Sequence, residues 1–449
     1  MTFRRFLFVS HRYVGLVLAL FLLVASVTGC LLVFRDRLDA LLNPGLFEVP
    51  TRPVLPATTV AARLAQAHPG WRIRRFALAT FPGMALRVEV APLPGSTVIE
   101  PGADELFVDP TDARLVGARR SGIGWGRRHL LGTIYVLHFT LLAGTPGRWL
   151  MGAAAFGWLV LNLAGLFVTW PRRPPRGHPR RRPLFAAWRG AWVAERKALA
   201  RRPLPELHRV AGLWLLPLLV GLALTSVSLN FYGELVRPAV EWLSPPRAHS
   251  PWDETPVGSD IGSGNGPVIS YARAVAIARA DAASQLAGGL HGELRGWLPV
   301  SFEQDSARDL YGVAFSPDGS PLYEGFGHVT LYLGQRDGRL VWIDQPRLDG
   351  RGRRLLRALY PLHSGQVFGL PTRLLVLLLG LATIWLAVSG VLPWWRRRRL
   401  RGARQPRPSP EDAPRFAAGG AKRFASEAAL RSGAERAMRP AAEGERPAG

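Results

Sequence analysis

Four histidines lie at the margins of long apolar segments, where an ionisable side chain is costly and usually serves a function. They are His11, His138, His208 and His363. Neutral imidazole is a good axial ligand for haem iron, and two axial histidines leave the iron no open position. Two histidines from different helices could therefore clamp one haem from both faces. Two such pairs would hold two haem b groups and move single electrons.

An internal repeat selects these four from the ten histidines of the chain. Two registers without gaps define it, with offsets of 197 and 225 residues, so the halves differ by a 28-residue insertion in the second outer segment. The aligned positions include His11-Arg12 with His208-Arg209, Thr28 with Thr225, His138 with His363, Arg148 with Arg373, and Gly165 with Gly390. Because both halves run in the same direction, the repeat is parallel, with a pseudo-twofold axis expected along the membrane normal.

The remaining histidines do not carry this pattern. His129 aligns with Arg354, and we interpret the other five as surface residues: His68, His178, His249, His291 and His328. Two alternatives remain for the matched four. They could be structural hydrogen-bonding groups at helix ends, or they could bind zinc or copper at either membrane edge, although two histidines are a poor ligand set for such an ion.

Four apolar runs predict an α-helical membrane protein, because a membrane helix needs roughly 20 apolar residues. The predicted spans are residues 13–34, 148–170, 210–232 and 370–395. Between them lie two long segments, 35–147 and 233–369, and a basic loop, 171–209.

The net charge of +25 follows from basic residues next to these spans. The stretch from Arg172 to Arg202 holds eleven Lys or Arg and one acidic residue, and four arginines begin at Arg396. Basic loops stay in the cytoplasm, so we expect residues 1–12, the basic loop and the tail 396–449 to be cytoplasmic in a bacterial inner membrane. The basic charge therefore indicates membrane topology rather than nucleic-acid binding, and the composition of the tail predicts disorder.

The two outer segments each predict a small α+β domain. Residues 58–68 and 271–286 have the pattern of amphipathic helices, and residues 85–90 and 329–333 read as strands with one buried face. The single cysteine, Cys30, excludes disulfides within the chain.

Four arginines adjoin the matched histidines or spans: Arg12, Arg148, Arg209 and Arg373. They are placed to neutralise haem propionates, which would make them cofactor-binding residues. Plain anchoring at the membrane interface explains them equally well.

Several of these motifs together resemble the PepSY-associated transmembrane proteins over about residues 1–400. The resemblance rests on His11 to Leu16 with Thr28-Gly29, Phe34 to Asp39, Leu106 to Pro110 with Gly117, Leu137-His138 with Gly147-Arg148, and Gly390 to Arg399. It implies that the outer segments are PepSY-like domains. Members of the family include iron-regulated inner-membrane proteins, and some are di-haem reductases that release iron from ferric siderophores in the periplasm. The family's membrane histidines match His11, His138, His208 and His363.

The expected function is therefore transmembrane electron transfer to a ferric siderophore, with haem ligation by the four histidines and no catalytic acid–base residue. No Gly-x-Gly-x-x-Gly motif follows a strand, so a quinol or a separate flavoprotein is the expected electron donor. The alternative is a non-enzymatic protein whose helices anchor outer domains that bind a ligand or protein partner. A transport accessory ranks last, because the spans lack carboxylates.

Overall fold

A computed structural model describes residues 2–93, 102–171, 183–245, 267–287, 296–319, 325–346 and 349–402. Its α-helices, in chain order, are α1 (Phe3–Leu32), α2 (Arg35–Leu42), α3 (Pro44–Phe47), α4 (Ala57–Ala67), α5 (Leu130–Thr140), α6 (Gly144–Thr169), α7 (Leu184–Trp188), α8 (Arg196–Arg201), α9 (Pro203–Asn230), α10 (Arg237–Leu243), α11 (Tyr271–Ala287), α12 (Arg351–Ser364) and α13 (Leu370–Gly402). Its strands are β1 (Trp71–Ala77), β2 (Leu86–Pro92), β3 (Glu105–Val108), β4 (Leu115–Arg119), β5 (Leu298–Asp305), β6 (Leu310–Ser316), β7 (Val329–Gly334) and β8 (Leu340–Asp344).

Within the described ranges, four helices are long and apolar enough to cross a membrane: α1, α6, α9 and α13. The shortest, α6, has 26 residues and is therefore about 39 Å long, more than the roughly 30 Å of bilayer hydrocarbon. Each helix contains or overlaps one predicted span, but α1 begins at Phe3 and α9 at Pro203, well before the apolar runs. The helix α13 continues to Gly402, into the predicted tail, and the rest of that tail lies outside the described residues.

Leucine, alanine and tryptophan side chains from the four long helices pack in one buried cluster, formed by Leu18, Ala154, Trp158, Leu219, Ala223 and Leu379. Glycines bring the helices close together. A Cβ atom added at Gly157 would lie 3.2 Å from Leu18, and one added at Gly380 would lie 2.6 Å from Cys30 Sγ. Small residues at such contacts are the usual means of helix association in membranes.

Two short helices, α5 and α12, precede the second and fourth long helices and were not predicted from the sequence. Each ends in a left-handed residue, at Leu141 (φ 53°) and Gly365 (φ 76°), after which the chain turns into the next long helix. The expectation of outer domains over 35–147 and 233–369 overlooked both helices, because each is too short to predict a span. They matter because they carry His138 and His363.

The eight strands in the described part of the chain form one antiparallel sheet in the order β4-β3-β2-β1-β5-β6-β7-β8. Each outer segment supplies a meander of four strands, and the first strands of the two meanders pair at the centre, where Phe76 lies opposite Phe302. The sequence predicted one α+β domain in each half, whereas the structure joins their strands edge to edge. This pairing covers two strand edges whose N–H and C=O groups would otherwise be unpaired.

The core of the sheet lies under α4 and α11, whose bounds agree with the predicted amphipathic helices to within one residue. The rings of Phe76 and Phe302 stack with centroids 5.1 Å apart, beneath Tyr271 of α11. These contacts link the two halves through one continuous apolar core.

Ion pairs fasten the sheet to the helices at both of its outer ends. Arg119 of β4 lies 2.6 Å from both Asp39 of α2 and Glu105 of β3, and the three side chains are at most 9% exposed. Burial disfavours the charge of Arg119, but the hydrogen bond with Asp39 and the charge of Glu105 raise its pKa. At the other end, Arg357 of α12 pairs with Asp344 of β8.

Candidate functional site

The structure brings the four matched histidines together in two pairs. His138 of α5 faces His363 of α12, with ring centroids 6.2 Å apart and an interplanar angle of 56°. His11 of α1 faces His208 of α9, with centroids 6.5 Å apart and an angle of 88°. We refer to these as the α5–α12 pair and the α1–α9 pair. Each pair takes one histidine from each half of the chain.

Long helices set the distance between the two pairs. His138 contacts Thr28 of α1, which follows His11 by 17 residues on the same helix. His363 contacts Thr225 of α9, again 17 residues after His208. At 1.5 Å per residue the pairs lie about 25 Å apart along either helix, close to the thickness of the hydrocarbon layer.

In the α5–α12 pair, threonine hydroxyls fix the tautomer of both rings. Thr28 Oγ1 donates its proton to the carbonyl of Val24 at 2.6 Å, so Nδ1 of His138, at 2.9 Å, must donate to the same oxygen. Thr225 Oγ1 likewise donates to Leu222 O at 2.9 Å and accepts from His363 Nδ1 at 3.2 Å. This assignment follows from the hydrogen-bond network. It leaves Nε2 of each histidine unprotonated, with its lone pair free for a metal.

The α1–α9 pair has this arrangement on one side only. His208 Nδ1 lies 3.0 Å from Ser389 Oγ, which donates to the carbonyl of Leu386 at 3.2 Å. His11 Nδ1 is buried and has no side-chain hydrogen-bond partner among the described residues, and the backbone of Leu161 faces the ring. In the repeat, position 389 aligns with Ala164, which has no hydroxyl. The two histidines of this pair are therefore held differently.

Glycines make room for three of the four rings. A Cβ atom added at Gly29 would lie 3.1 Å from Cε1 of His138, and one at Gly165 would lie 3.1 Å from Cε1 of His11. At Gly390 the corresponding distance to His208 is 3.5 Å. The Nδ1–Cε1 edge of each of these three rings therefore faces a glycine of a neighbouring helix.

These dimensions fit a metal held between each pair. A metal bonded at about 2 Å to one nitrogen of each of two imidazoles, with each nitrogen about 1 Å from its ring centre, separates the ring centres by about 6 Å. The observed separations are 6.2 and 6.5 Å. Haem is one group that two histidine ligands can hold. Among the described residues, no group of three or more His, Cys, Asp or Glu side chains is placed to hold a bare metal ion.

The four arginines predicted to contact propionates have varied surroundings. Arg148 hydrogen-bonds Glu234, and this bond lowers the pKa of the Glu234 carboxyl to about 2. Arg209 pairs with Glu206, three residues before it. The guanidinium of Arg12 lies over the ring of Tyr13 at 5.5 Å. Arg373 also has an interaction partner. The role of these arginines at a cofactor stays a prediction.

The other described histidines lie outside the two pairs. His129 Nδ1 lies 2.9 Å from the carbonyl of Arg120, and His68 and His328 are half-buried rather than fully exposed. His178, His249 and His291, also predicted to be surface residues, are outside the described part of the chain.

The sequence singled out the four histidines but not the residues that contact their rings, which are Thr28, Thr225, Ser389 and the glycines 29, 165 and 390. The repeat contained a signal for most of these. Thr28 aligns with Thr225 and Gly165 with Gly390, and each lies on a helix that faces a matched histidine.

Comparison with known proteins agrees with the resemblance seen in the sequence. The profile of the family described as PepSY-associated TM region matches residues 8–397. No curated protein matches the chain.

Proposed function

Since the chain belongs to the PepSY-associated transmembrane family, we propose that it is a haem-binding electron-transfer protein of the bacterial inner membrane. Its acceptor would be a ferric siderophore in the periplasm, so that the protein serves iron uptake. The observation that carries this proposal is the geometry of the two histidine pairs, whose ring centres lie 6.2 and 6.5 Å apart.

A haem b held by each pair would supply single-electron transfer. His138 and His363 would hold one haem, and His11 and His208 the other. The separation of about 25 Å along α1 and α9 would place one haem in each leaflet. The hydroxyls of Thr28, Thr225 and Ser389 hold their histidines in the tautomer that a metal needs.

The architecture supports a chain built from two parallel repeats. The eight-stranded sheet is two meanders joined at their first strands, and each histidine pair joins one residue of each repeat.

The basic flanks of the long helices support cytoplasmic termini and a periplasmic sheet. An electron from a quinol or a flavoprotein would then enter near His11 and His208 and leave near His138 and His363, beside the sheet. Reduction of the ferric ion to the ferrous state weakens its binding to hard oxygen ligands, so the chelate would release it. This chain would contribute haem ligation, a low dielectric and a surface for the chelate.

Reduction of a ferric chelate by the purified full-length chain tests this proposal. The protein would be reduced with dithionite, freed of excess reductant and mixed with a ferric siderophore, with ferrous iron trapped by a coloured ferrous chelator. We expect ferrous iron to form at the rate at which the reduced haem spectrum disappears. A haem protein that stays reduced in the presence of every ferric chelate tried would contradict the proposal.

The alternative is a non-enzymatic protein whose sheet binds a ligand or partner and whose helices only anchor it. An open cavity between α12 and the end of the sheet, of about 790 Å³, favours ligand binding. The visible spectrum separates the two functions, because only the electron-transfer protein requires b-type absorption bands.

A further inference from the structure

A cavity of about 790 Å³ lies where α12 begins, beside the end of the sheet. It is lined by Phe326, Pro346, Arg351, Arg354, Leu355 and Ala358. Phe326 precedes β7 and Pro346 follows β8, and because these strands are antiparallel neighbours the two residues meet at one end of the sheet. The volume falls within the roughly 300–1,000 Å³ of small-molecule sites.

The arginines of α12 divide into two sets. Arg353 and Arg357 face the sheet, where both form ion pairs with Asp344 and Asp349. Arg351 and Arg354 line the cavity, are exposed, and have no ion pair with any described residue. Among the described residues, therefore, no carboxylate pairs with these two guanidinium groups, and the first turn of α12 has no acidic residue beside them.

The corresponding place in the first half is built differently. Arg351 aligns with Gly126 and Arg354 with His129. A Cβ atom added at Gly124 would lie 2.6 Å from the ring of His129, so the loop before α5 packs onto that ring. Arginines at these two aligned positions therefore occur in the second half of the chain only.

We infer that this cavity binds an anionic ferric chelate with aromatic arms, of the catecholate class. Catecholate oxygens outweigh the charge of the ferric ion, so such a chelate is an anion that two guanidinium groups can hold. Phe326 and Leu355 offer apolar surface to its rings. Arg354 precedes His363 by nine residues on α12, which is about 13 Å of helix, so the bound chelate would lie near the α5–α12 pair.

Reduction of the bound ferric ion rests on the proposed function, whereas binding of the chelate does not. A chelate of a redox-inert metal therefore tests binding alone. The gallium(III) complex of 2,3-dihydroxybenzoate would be titrated into the full-length protein in detergent by calorimetry. We expect the double variant Arg351→Gln/Arg354→Gln to bind it about ten- to a hundredfold more weakly, since each lost charge-assisted contact weakens binding about tenfold.

The matched control is Arg63→Gln/Arg72→Gln, which removes two exposed arginines outside the cavity and should leave the affinity unchanged. Ala358→Trp, which fills the cavity without changing its charge, should weaken binding to a similar degree. The cationic gallium complex of desferrioxamine should bind the wild type no better than the double variant.

Equal affinity of the wild type and the double variant for the gallium catecholate would overturn the inference. It would also be overturned if phosphatidylglycerol in nanodiscs abolished binding that persists in phosphatidylcholine alone, because the cavity would then belong to a lipid headgroup. Gallium binding without ferric reduction would count against the proposed function only. Ferric reduction with no gallium binding would count against this cavity only.

Discussion

The two histidine pairs share one plan but differ in how firmly their rings are held. In the α5–α12 pair both Nδ1 atoms donate to a threonine hydroxyl, at 2.9 and 3.2 Å. In the α1–α9 pair only His208 has such a partner, and His11 Nδ1 has none among the described residues. A hydroxyl behind a histidine fixes its tautomer and raises its basicity as a ligand. The comparison therefore predicts one tightly held site and one that is weaker on the His11 side.

Removing a histidine should have the largest effect. We expect His138→Ala and His11→Ala each to lose about half of the bound haem, because each variant breaks one of two separate sites. Haem would be measured per chain as its pyridine complex. His68→Ala, which lies in neither pair, is the control. Retention of all haem by either variant would show that the histidine is not a ligand.

Removing the hydroxyls should have the next largest effect and should act through the same rings. Thr28→Ala and Thr225→Ala should each weaken haem binding about 10- to 100-fold at the α5–α12 pair, the usual effect of losing an outer-shell partner. Thr28→Ser keeps the hydroxyl and should behave as wild type. Transfer of haem to apomyoglobin measures the loss. If Thr28→Ser lost haem as fast as Thr28→Ala, packing rather than the hydrogen bond would explain the effect.

Substitution of the glycines beside the α1–α9 pair should have a smaller effect on haem binding, and the effect should differ between the two rings of the pair. A Cβ atom at position 165 would lie 3.1 Å from the ring of His11, whereas one at position 390 would lie 3.5 Å from that of His208, which is ordinary contact. Gly165→Ala should therefore accelerate haem loss severalfold, since a crowded ring must shift by tenths of an ångström. Gly390→Ala serves as its matched partner and should change little. If the two substitutions accelerated haem loss equally, the rings of His11 and His208 would not differ in how closely they are packed.

The smallest expected effect is tighter haem binding at the α1–α9 pair. Ala164→Ser would place a hydroxyl at the position that aligns with Ser389 of the other half. One neutral hydrogen bond is worth about 1 kcal/mol, so haem should leave the α1–α9 pair about two- to fivefold more slowly. The greater basicity of His11 should also lower the midpoint potential of that haem, measured by redox titration. Faster haem loss would mean that the two halves do not position this residue alike.

The sequence predicts the overall plan because its strongest signals are local or periodic. Apolar runs such as residues 13–34 indicate membrane helices, and the gapless registers pair His11 with His208 and His138 with His363. The family assignment rests on the same residues and agrees with the match over residues 8–397.

What the sequence did not reveal depends on contacts between distant segments. The helices α5 and α12 are too short to be predicted as spans, and the pairing of β1 with β5 involves residues more than 200 positions apart. The hydrogen bond of Thr28 to His138 bridges 110 positions. Hydrophobic periodicity reports which face of an element is buried but not which element covers it.

The haem content of the purified full-length chain tests the central claim most directly. The measurement is the reduced-minus-oxidised visible spectrum together with the pyridine haem assay, on protein from cells supplied with a haem precursor. We predict b-type bands from low-spin, six-coordinate iron and about two haem groups per chain, one for each histidine pair. Protein that is folded and monodisperse but has no haem bands would contradict the account.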